Sequence, residues 1–244
     1  MSSVSPATVS ELAPTGKLRI GLNYANFLLV LKDLPDGTPQ GIAPDIGREL
    51  AKRLGVRAEF VKFDGAGKLA DGVNKGMWDV AFLGNEPARA NTIAFTPAYL
   101  EIPVTFLVPA GSKLKTFSDL DSPGVRISAA DKSAYHLFLT RSLKNAELIA
   151  ADGIEDSFRM FADLKLEALA GLKPRLIADL ARLPGSRILE GQITAVQQSI
   201  GTPRSRETGV RYLREFVEDV KKSGFVGQAI SRHKVNGVNV APRA

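Results

Sequence analysis

Between residues 17 and 84 short strand-like runs alternate with helix-like ones, and the same alternation begins again after residue 125. A chain ordered strand, helix, strand, helix, strand has few folding options; the expected one is an α/β unit with a mostly parallel sheet. In the first series, residues 17–21 read as a strand ending in Gly21. Residues 41–55 place Ile46, Leu50, Ala51 and Leu54 on one helical face, with Pro44 in the first turn and Gly55 as the stop. Residues 56–63 alternate Val56, Ala58 and Phe60 against Arg57 and Glu59, residues 67–75 suggest a short helix, and 80–84 a buried strand. In the second series, 118–120 is one turn of helix; strands are expected at 125–129, 147–150, 167–171 and 187–189, and helices at 133–143, 154–163 and 174–183. A strand at 194–200, an amphipathic helix at 204–223 and a short helix at 225–233 close the chain. Residues 1–16 are small and polar, with Pro6 and Pro14, and read as a loosely held arm.

Two α/β units of this kind, with extended apolar segments at 102–108 and 195–200 where they join, suggest two lobes linked by two crossings that act as a hinge. A ligand would then lie between the lobes, at the carboxyl ends of the strands. Composition narrows the chemistry. With no cysteine there is no disulfide and no thiolate metal site, and His136 and His233 alone cannot form a catalytic metal centre, so neither metal nor cofactor is expected. Lys and Arg exceed Asp and Glu by 32 − 26 = +6, which suits an anionic ligand. No aromatic-and-basic stacking pattern accompanies that charge, so no nucleic-acid partner is expected. The longest apolar runs fall far short of a span, so no membrane insertion is expected. The opening MSSVSPATVSELAPTGK lacks a charged stretch followed by an apolar one, so the cytosol is the expected compartment for the chain as it stands, and the periplasm if a leader was trimmed. A monomer is expected.

Three motifs stand in order along the chain. The first is GIAPDIGRELAKRLG at 41–55. The second is KGMWDVAF at 75–82, leading to Pro87-Ala88-Arg89 and to IAFTPAY at 93–99. The third is FSDL at 117–120, followed by GVRI at 124–127. Together they resemble family 3, the polar amino-acid type, of the solute-binding proteins of bacterial ABC transporters. The resemblance covers roughly residues 17–235. It implies an α/β, two-lobed type II periplasmic-binding-protein fold: each lobe a mostly parallel sheet flanked by helices, the two joined by two hinge strands. It also implies a discontinuous first lobe, 17–104 plus 195–244, around a second lobe at 105–194. A small organic acid or amino-acid-like ligand would bind on lobe closure, with an ABC permease as partner if the protein is exported.

The resemblance also nominates site residues. Arg89 would fork onto a ligand carboxylate, for which a planar guanidinium is suited; read without the motif, it is an ordinary surface arginine. Ser133, Ala134 and Tyr135 open the second-lobe helix, where free N–H groups favour an anion, although Ser133 also reads simply as an N-cap. The departure of Asp131-Lys132-Ser133 from the family's Gly-Thr-rich loop leaves the backbone contact open. Asn23, Tyr24, Asn26 and Phe27 would line the pocket, or else pack in the core and form turns. Gly84, Asn85 and Glu86 lie just ahead of Arg89; Glu86 could equally pair with Arg89 or cap the next turn. Leu172 and Lys173 stand where amino-acid binders carry an acid for the ammonium, and Ala43 replaces a second acid. Lys173 would favour a ligand with more than one negative group, or with no amine, unless it merely starts a solvated helix.

The alternative to a binder is an enzyme on the same scaffold, a lyase resembling cyclohexadienyl dehydratase, for which Glu86 and Asp131 are the only local acids. A weaker third reading is a sensing protein that docks a partner through residues 1–16. The basic residues Arg204, Arg206, Arg211, Arg214, Lys221 and Lys222 read as a solvated helix face. Trp78 reads as a half-buried surface aromatic, and His136 as a helix-surface histidine.

Overall fold

The computed structural model describes residues 4–244, so residues 1–3 of the expected arm lie outside the described residues. The rest of that arm is not loose. Residues Pro6–Leu12 form helix α1. Ser5 caps it, its Oγ accepting from the Thr8 N–H at 3.1 Å, and Pro6 stands at the first helical position, where its missing N–H costs nothing. Leu12 is fully buried, and a Cβ on Gly209 would come within 2.7 Å of it. Glu11 Oε2 accepts the Gly209 N–H at 2.7 Å. The small residues and prolines that suggest a free arm are a helix start followed by a docking face.

The chain divides into two compact units, residues 1–101 with 197–244, and residues 102–196. In the first unit, β1 (Lys17–Asn23) is central. It pairs in parallel with β2 (Arg57–Phe63) on one side and with β3 (Val80–Gly84) on the other. Between β1 and β2 runs α2 (Ile42–Leu54), which buries Ile42, Ile46, Leu50 and Leu54. It stops at Gly55 in the left-handed conformation (φ 71°), as helix ends favour. Its start requires Gly41 (φ 133°), because a Cβ there would meet the Leu29 carbonyl oxygen. Helix α3 (Ala66–Asp71) and a 3₁₀ turn at Gly72–Lys75 lead into β3. After β3 come β4 (Ile93–Phe95) and the first residues of β5 (Leu100–Val108).

The second unit begins within β5, which pairs antiparallel with β8 (Ala168–Leu172). Helix α4 (Phe117–Leu120) is closed by a capping box between Thr116 and Asp119. The strand β6 (Arg126–Ala130) lies between β8 and β7 (Glu147–Ala151), parallel to both. Helices α5 (Ala134–Ser142), α6 (Ile154–Asp163) and α7 (Lys173–Asp179) connect them, and β9 (Arg187–Ile188) adds to the end of β5. The core here is Leu107, Phe158, Phe161, Leu166, Leu169 and Leu176. The chain re-enters the first unit within β10 (Thr194–Pro203), which runs antiparallel to β3 and β4. Helices α8 (Glu207–Lys222) and α9 (Phe225–Arg232) follow, and β11 (Asn239–Val240) pairs with the start of β5. At two and three residues, β11 and β4 are too short to leave an alternation in the sequence.

Trp78 is not a surface aromatic. It is fully buried in the first unit with Phe63, Leu69, Leu83, Ile93 and Phe95, and its Nε1–H donates to the Leu69 carbonyl at 2.8 Å. Gly21 and Gly72 make the room: a Cβ on either would approach the indole within 3.2 and 2.9 Å. Beside it, the fully buried Asp79 carboxylate accepts from Arg19 N (3.0 Å), Arg19 Nε (3.0 Å), Arg19 Nη2 (2.9 Å) and Arg206 Nη2 (2.9 Å). Burial pushes this carboxyl up, but the hydrogen bonds from the two arginines outweigh it and hold the group below the ordinary carboxylate range.

Two expectations follow. Trp78→Ala removes a large, hydrogen-bonded core side chain and should lower unfolding stability by roughly 3–5 kcal/mol in urea melts followed by circular dichroism. Asp79→Asn should cost roughly 3 kcal/mol at neutral pH, the low end for a buried ion pair because both arginines keep some water. The Asp79 contribution is present above about pH 4, the unfolded carboxyl's range, and is lost as pH falls through the lower folded value. The stability gap between wild type and variant should therefore be constant from pH 6 to 8 (roughly) and close in acid.

Candidate functional site

In the first unit the nominated residues gather where β1 and β3 end. Each has a local geometric reason to be there. Asn23 closes β1, and its Oδ1 accepts the Ala25 N–H at 3.1 Å. Tyr24 is tied to the end of β2 by its N–H on the Phe63 carbonyl (2.8 Å), and its hydroxyl donates to Asp33 Oδ1 at 3.0 Å. Lys62 pairs with the other oxygen of Asp33 and stands 5.0 Å over the Tyr24 ring. Burial, then the Asp33 hydrogen bond and charge, raise the Tyr24 phenol above its usual value, with Lys62 opposing. Asn26 is buried, and its Oδ1 accepts the Leu28 N–H (3.2 Å) while its carbonyl accepts from Leu29 and Val30. Its side-chain oxygen serves the turn. Phe27, 39% exposed, is the ring of this loop that remains presented to the surface.

At the end of β3, the Gly84 carbonyl accepts Arg89 Nη1 at 2.6 Å, and the Glu86 carbonyl accepts the Arg89 N–H at 2.9 Å across the 3₁₀ turn Pro87–Arg89. Arg89 is therefore folded back onto its own strand and only 6% exposed. Burial lowers its pKa to about 10, with the charges of Glu86 and Asp71 pulling the other way, so the guanidinium is still a cation at neutral pH. Glu86 is buried beside it and makes no side-chain cap. Asn85 is exposed and faces elsewhere: it lines a groove with β4 and α8, described below.

The nominated residues of the second unit sit at the carboxyl ends of β6 and β8. Ser133 is the N-cap of α5, its Oγ accepting the His136 N–H at 3.1 Å. Ala134 and Tyr135 follow as the first two helical residues, so no helical carbonyl can reach their N–H groups. Tyr135 is buried, which pushes its phenol up to about 12 against the opposing effects of Ser133 and Arg175. Lys132 just ahead has φ 50°, a left-handed conformation that a glycine adopts without strain. His136 is half-buried, 3.7 Å from Asp131, and burial lowers its pKa with Asp131 opposing. Lys173 opens α7 half-buried and has no ion-pair partner among the described residues.

Two residues near the nominated ones, one in each unit, escape the sequence reading. Arg175 lines a small recess with Tyr135, Gly171 and Leu172, and is held by Asp179 (2.9 Å) and Glu155 (2.8 Å). The i,i+4 spacing of Arg175 and Asp179 is its only sequence signal. Gln198, opposite Gly84 in β10, is buried with its Oε1 lacking a partner; a glutamine inside an otherwise apolar strand is the signal it leaves. Among the described residues no three His, Asp or Glu side chains cluster to hold a metal ion, and no helix is long and apolar enough to cross a membrane.

The model of one family, bacterial extracellular solute-binding proteins, family 3, matches residues 18–234. Among solved structures, the solute receptor for L-cysteine of Neisseria gonorrhoeae is 20% identical, with 96% of each chain covered and a TM-score of 0.77. A mutant of ArgBP from T. maritima is 20% identical over 93% of this chain and 99% of that one, with a TM-score of 0.76. The ancestral amino-acid-binding protein AncCDT-1, a precursor of cyclohexadienyl dehydratase, is 21% identical over 92% and 98%, with a TM-score of 0.74. These likenesses establish the type II periplasmic-binding fold expected from the sequence.

The Tyr24 clamp gives a local prediction. Asp33→Ala removes the hydrogen bond and the charge that raise the Tyr24 phenol, so Tyr24 should titrate at lower pH than in the wild type. Ultraviolet titration at the phenolate band, differenced against Tyr24→Phe, isolates it from the other three tyrosines. An unchanged Tyr24 titration would refute the clamp.

Proposed function

Since the chain belongs to family 3 of the bacterial extracellular solute-binding proteins, we propose that it binds a small carboxylate-bearing solute, with the Arg89 guanidinium meeting the carboxylate. The observation that carries this reading is Arg89 itself: a buried cation anchored on the Gly84 carbonyl at the carboxyl end of β3. Burial strips water from the guanidinium, so a carboxylate reaching it would form charge-assisted, two-pronged hydrogen bonds with little competition. Such a ligand would share or displace the acceptors Arg89 now meets. That reorganisation fits a solute taken up by a conformational change. Phe27 supplies an apolar face in the same unit. In the second unit the first-turn N–H groups of Ala134 and Tyr135 are the anion-favouring donors.

Lysine, arginine and cysteine are ligand names carried by structural relatives, which makes an amino-acid-like solute the natural first test. Leu172, Lys173 and Ala43, in place of acids, extend the range to organic acids without an amine or with a second negative group. Delivery of the solute to an ABC permease is part of the same proposal. We read the chain as a binder and not a catalyst. Of the two acids nominated for a dehydratase, Asp131 is exposed in a turn, and Glu86 shares its burial with Arg89.

The test is a thermal-shift panel of amino acids, dicarboxylates, aromatic acids and opine-like compounds, followed by calorimetry of any hit. A ligand at about 100 times its Kd should stabilise by about 2.7 kcal/mol through mass action. The shift should vanish in Arg89→Ala and survive in Arg211→Ala, whose side chain is exposed on α8. A hit that binds Arg89→Ala undiminished sinks the assignment. Turnover of prephenate or arogenate, lost in Glu86→Gln, would replace the binder with the lyase.

A further inference from the structure

The basic run of α8 does not behave as one solvated face. Arg206 is spent on Asp79, and Lys221 donates to the Pro242 carbonyl at 2.8 Å. Arg204 and Arg214 instead line an open groove of about 460 Å³ within the first unit. One wall is α8, where Glu207, Val210 and Arg214 at i, i+3 and i+7 share a face. The other wall is Ala90 and β4, where the half-buried Ala94 gives an apolar floor while the side chains of Ile93 and Phe95 turn into the Trp78 core.

The frame is fixed by hydrogen bonds. Residues Ile93–Phe95 pair with Gly201–Pro203 of β10, the Arg204 N–H donates to the Thr92 carbonyl at 3.0 Å, and Arg204 Nη1 donates to the Ala90 carbonyl at 2.6 Å. Arg204 is thus committed to the wall. Arg214 and Glu207 are not: neither has a hydrogen-bond or ion-pair partner among the described residues. Seven helical positions at 1.5 Å rise put them about 10 Å apart along the axis, too far to neutralise each other. Between them lie Val210 and the apolar floor.

We propose that this groove is a second ligand site, distinct from Arg89, for a small monocarboxylate with an apolar body. The carboxylate sits on Arg214 and the hydrocarbon or aromatic part lies over Val210, Ala90 and Ala94. An unpaired guanidinium at the end of an apolar trough recognises that pairing of charge and surface. Glu207 at the far end excludes a second negative group, which separates this ligand class from the dianions that Lys173 would favour.

Phenylacetate is the probe. Titrated into isotopically labelled wild-type protein, it should shift backbone amides of residues 85–95 and 204–214 along a saturable curve with a Kd on the order of 1 mM, as a ligand of this size allows. Arg214→Glu should weaken binding by at least about tenfold, and Glu207→Gln should let phenylmalonate, a dianion, bind the same residues. Arg211→Glu, an exposed charge reversal outside the groove, should leave the phenylacetate shifts unchanged. Linear, unsaturated shifts, or shifts that survive Arg214→Glu, overturn the proposal. Shifts confined to the surroundings of Arg89 and lost in Arg89→Ala overturn it as well, while supporting the primary site.

Discussion

The first unit is organised around one buried carboxylate. Asp79 stands at the entrance to β3 and takes donors from Arg19 in β1 and from Arg206 just before α8. Its own N–H donates to the Arg19 carbonyl at 2.8 Å, and its carbonyl accepts from Thr202 of β10 at 2.9 Å. One residue therefore sets the register of β1, β3 and β10 and the entry angle of α8. An ion placed out of water is costly unless every lone pair is used, which makes alternative registers much worse than the native one. The far ends of the same strands carry Asn23, Gly84 and Gln198, so the positions of the nominated ligand residues follow from a bond network at the opposite edge.

Arg89 shows the competition that makes such a group useful. Desolvation weakens its charge, while Glu86 and Asp71 restore part of it and the Gly84 carbonyl fixes its direction. The result is a cation kept out of water, with its direction fixed by a backbone carbonyl. The Tyr24 neighbourhood is built differently. Lys62, Asp33 and the phenol satisfy one another, so this part of the loop is a strut, and Phe27 beside it is the residue left with surface to offer.

What could be read from the residues follows from how local the causes are. The helix at 41–55 is legible because its stop, Gly55, and its apolar stripe are written within fifteen residues. The strand alternation of 56–63 is legible for the same reason. Trp78 is not, because its burial depends on Gly21 and Gly72, each innocuous alone and meaningful only once folding has put them against the indole. Helix α1 was hidden in a polar, proline-containing stretch, since what orders it is Gly209, nearly two hundred residues away. At the site, the family pattern locates Arg89 and Ser133, but it says nothing of how each is satisfied: the inward turn of Arg89 onto Gly84, and the commitment of the Asn26 amide to its own turn, are decided by three-dimensional neighbours.

On the proposal that Arg89 meets a carboxylate, the charges beside it would constrain the solute further. An α-amino acid presents one carboxylate and one ammonium, and a matching site needs an acid to receive the ammonium. Within the first unit, Arg89 is the cation among the nominated residues and Glu86 the acid; Glu86 is buried beside Arg89, where its charge already offsets that arginine's burial. Were Glu86 to turn to an ammonium, Arg89 would lose that support just as it took up the carboxylate. A solute whose second polar group is neutral would avoid this conflict, because Glu86 would stay with Arg89. On the proposal that Arg89 takes the carboxylate of an α-amino acid, neutral acceptors would have to receive its ammonium, and Gln198, with a buried carbonyl oxygen lacking a partner opposite Gly84, is one such acceptor near the end of β3.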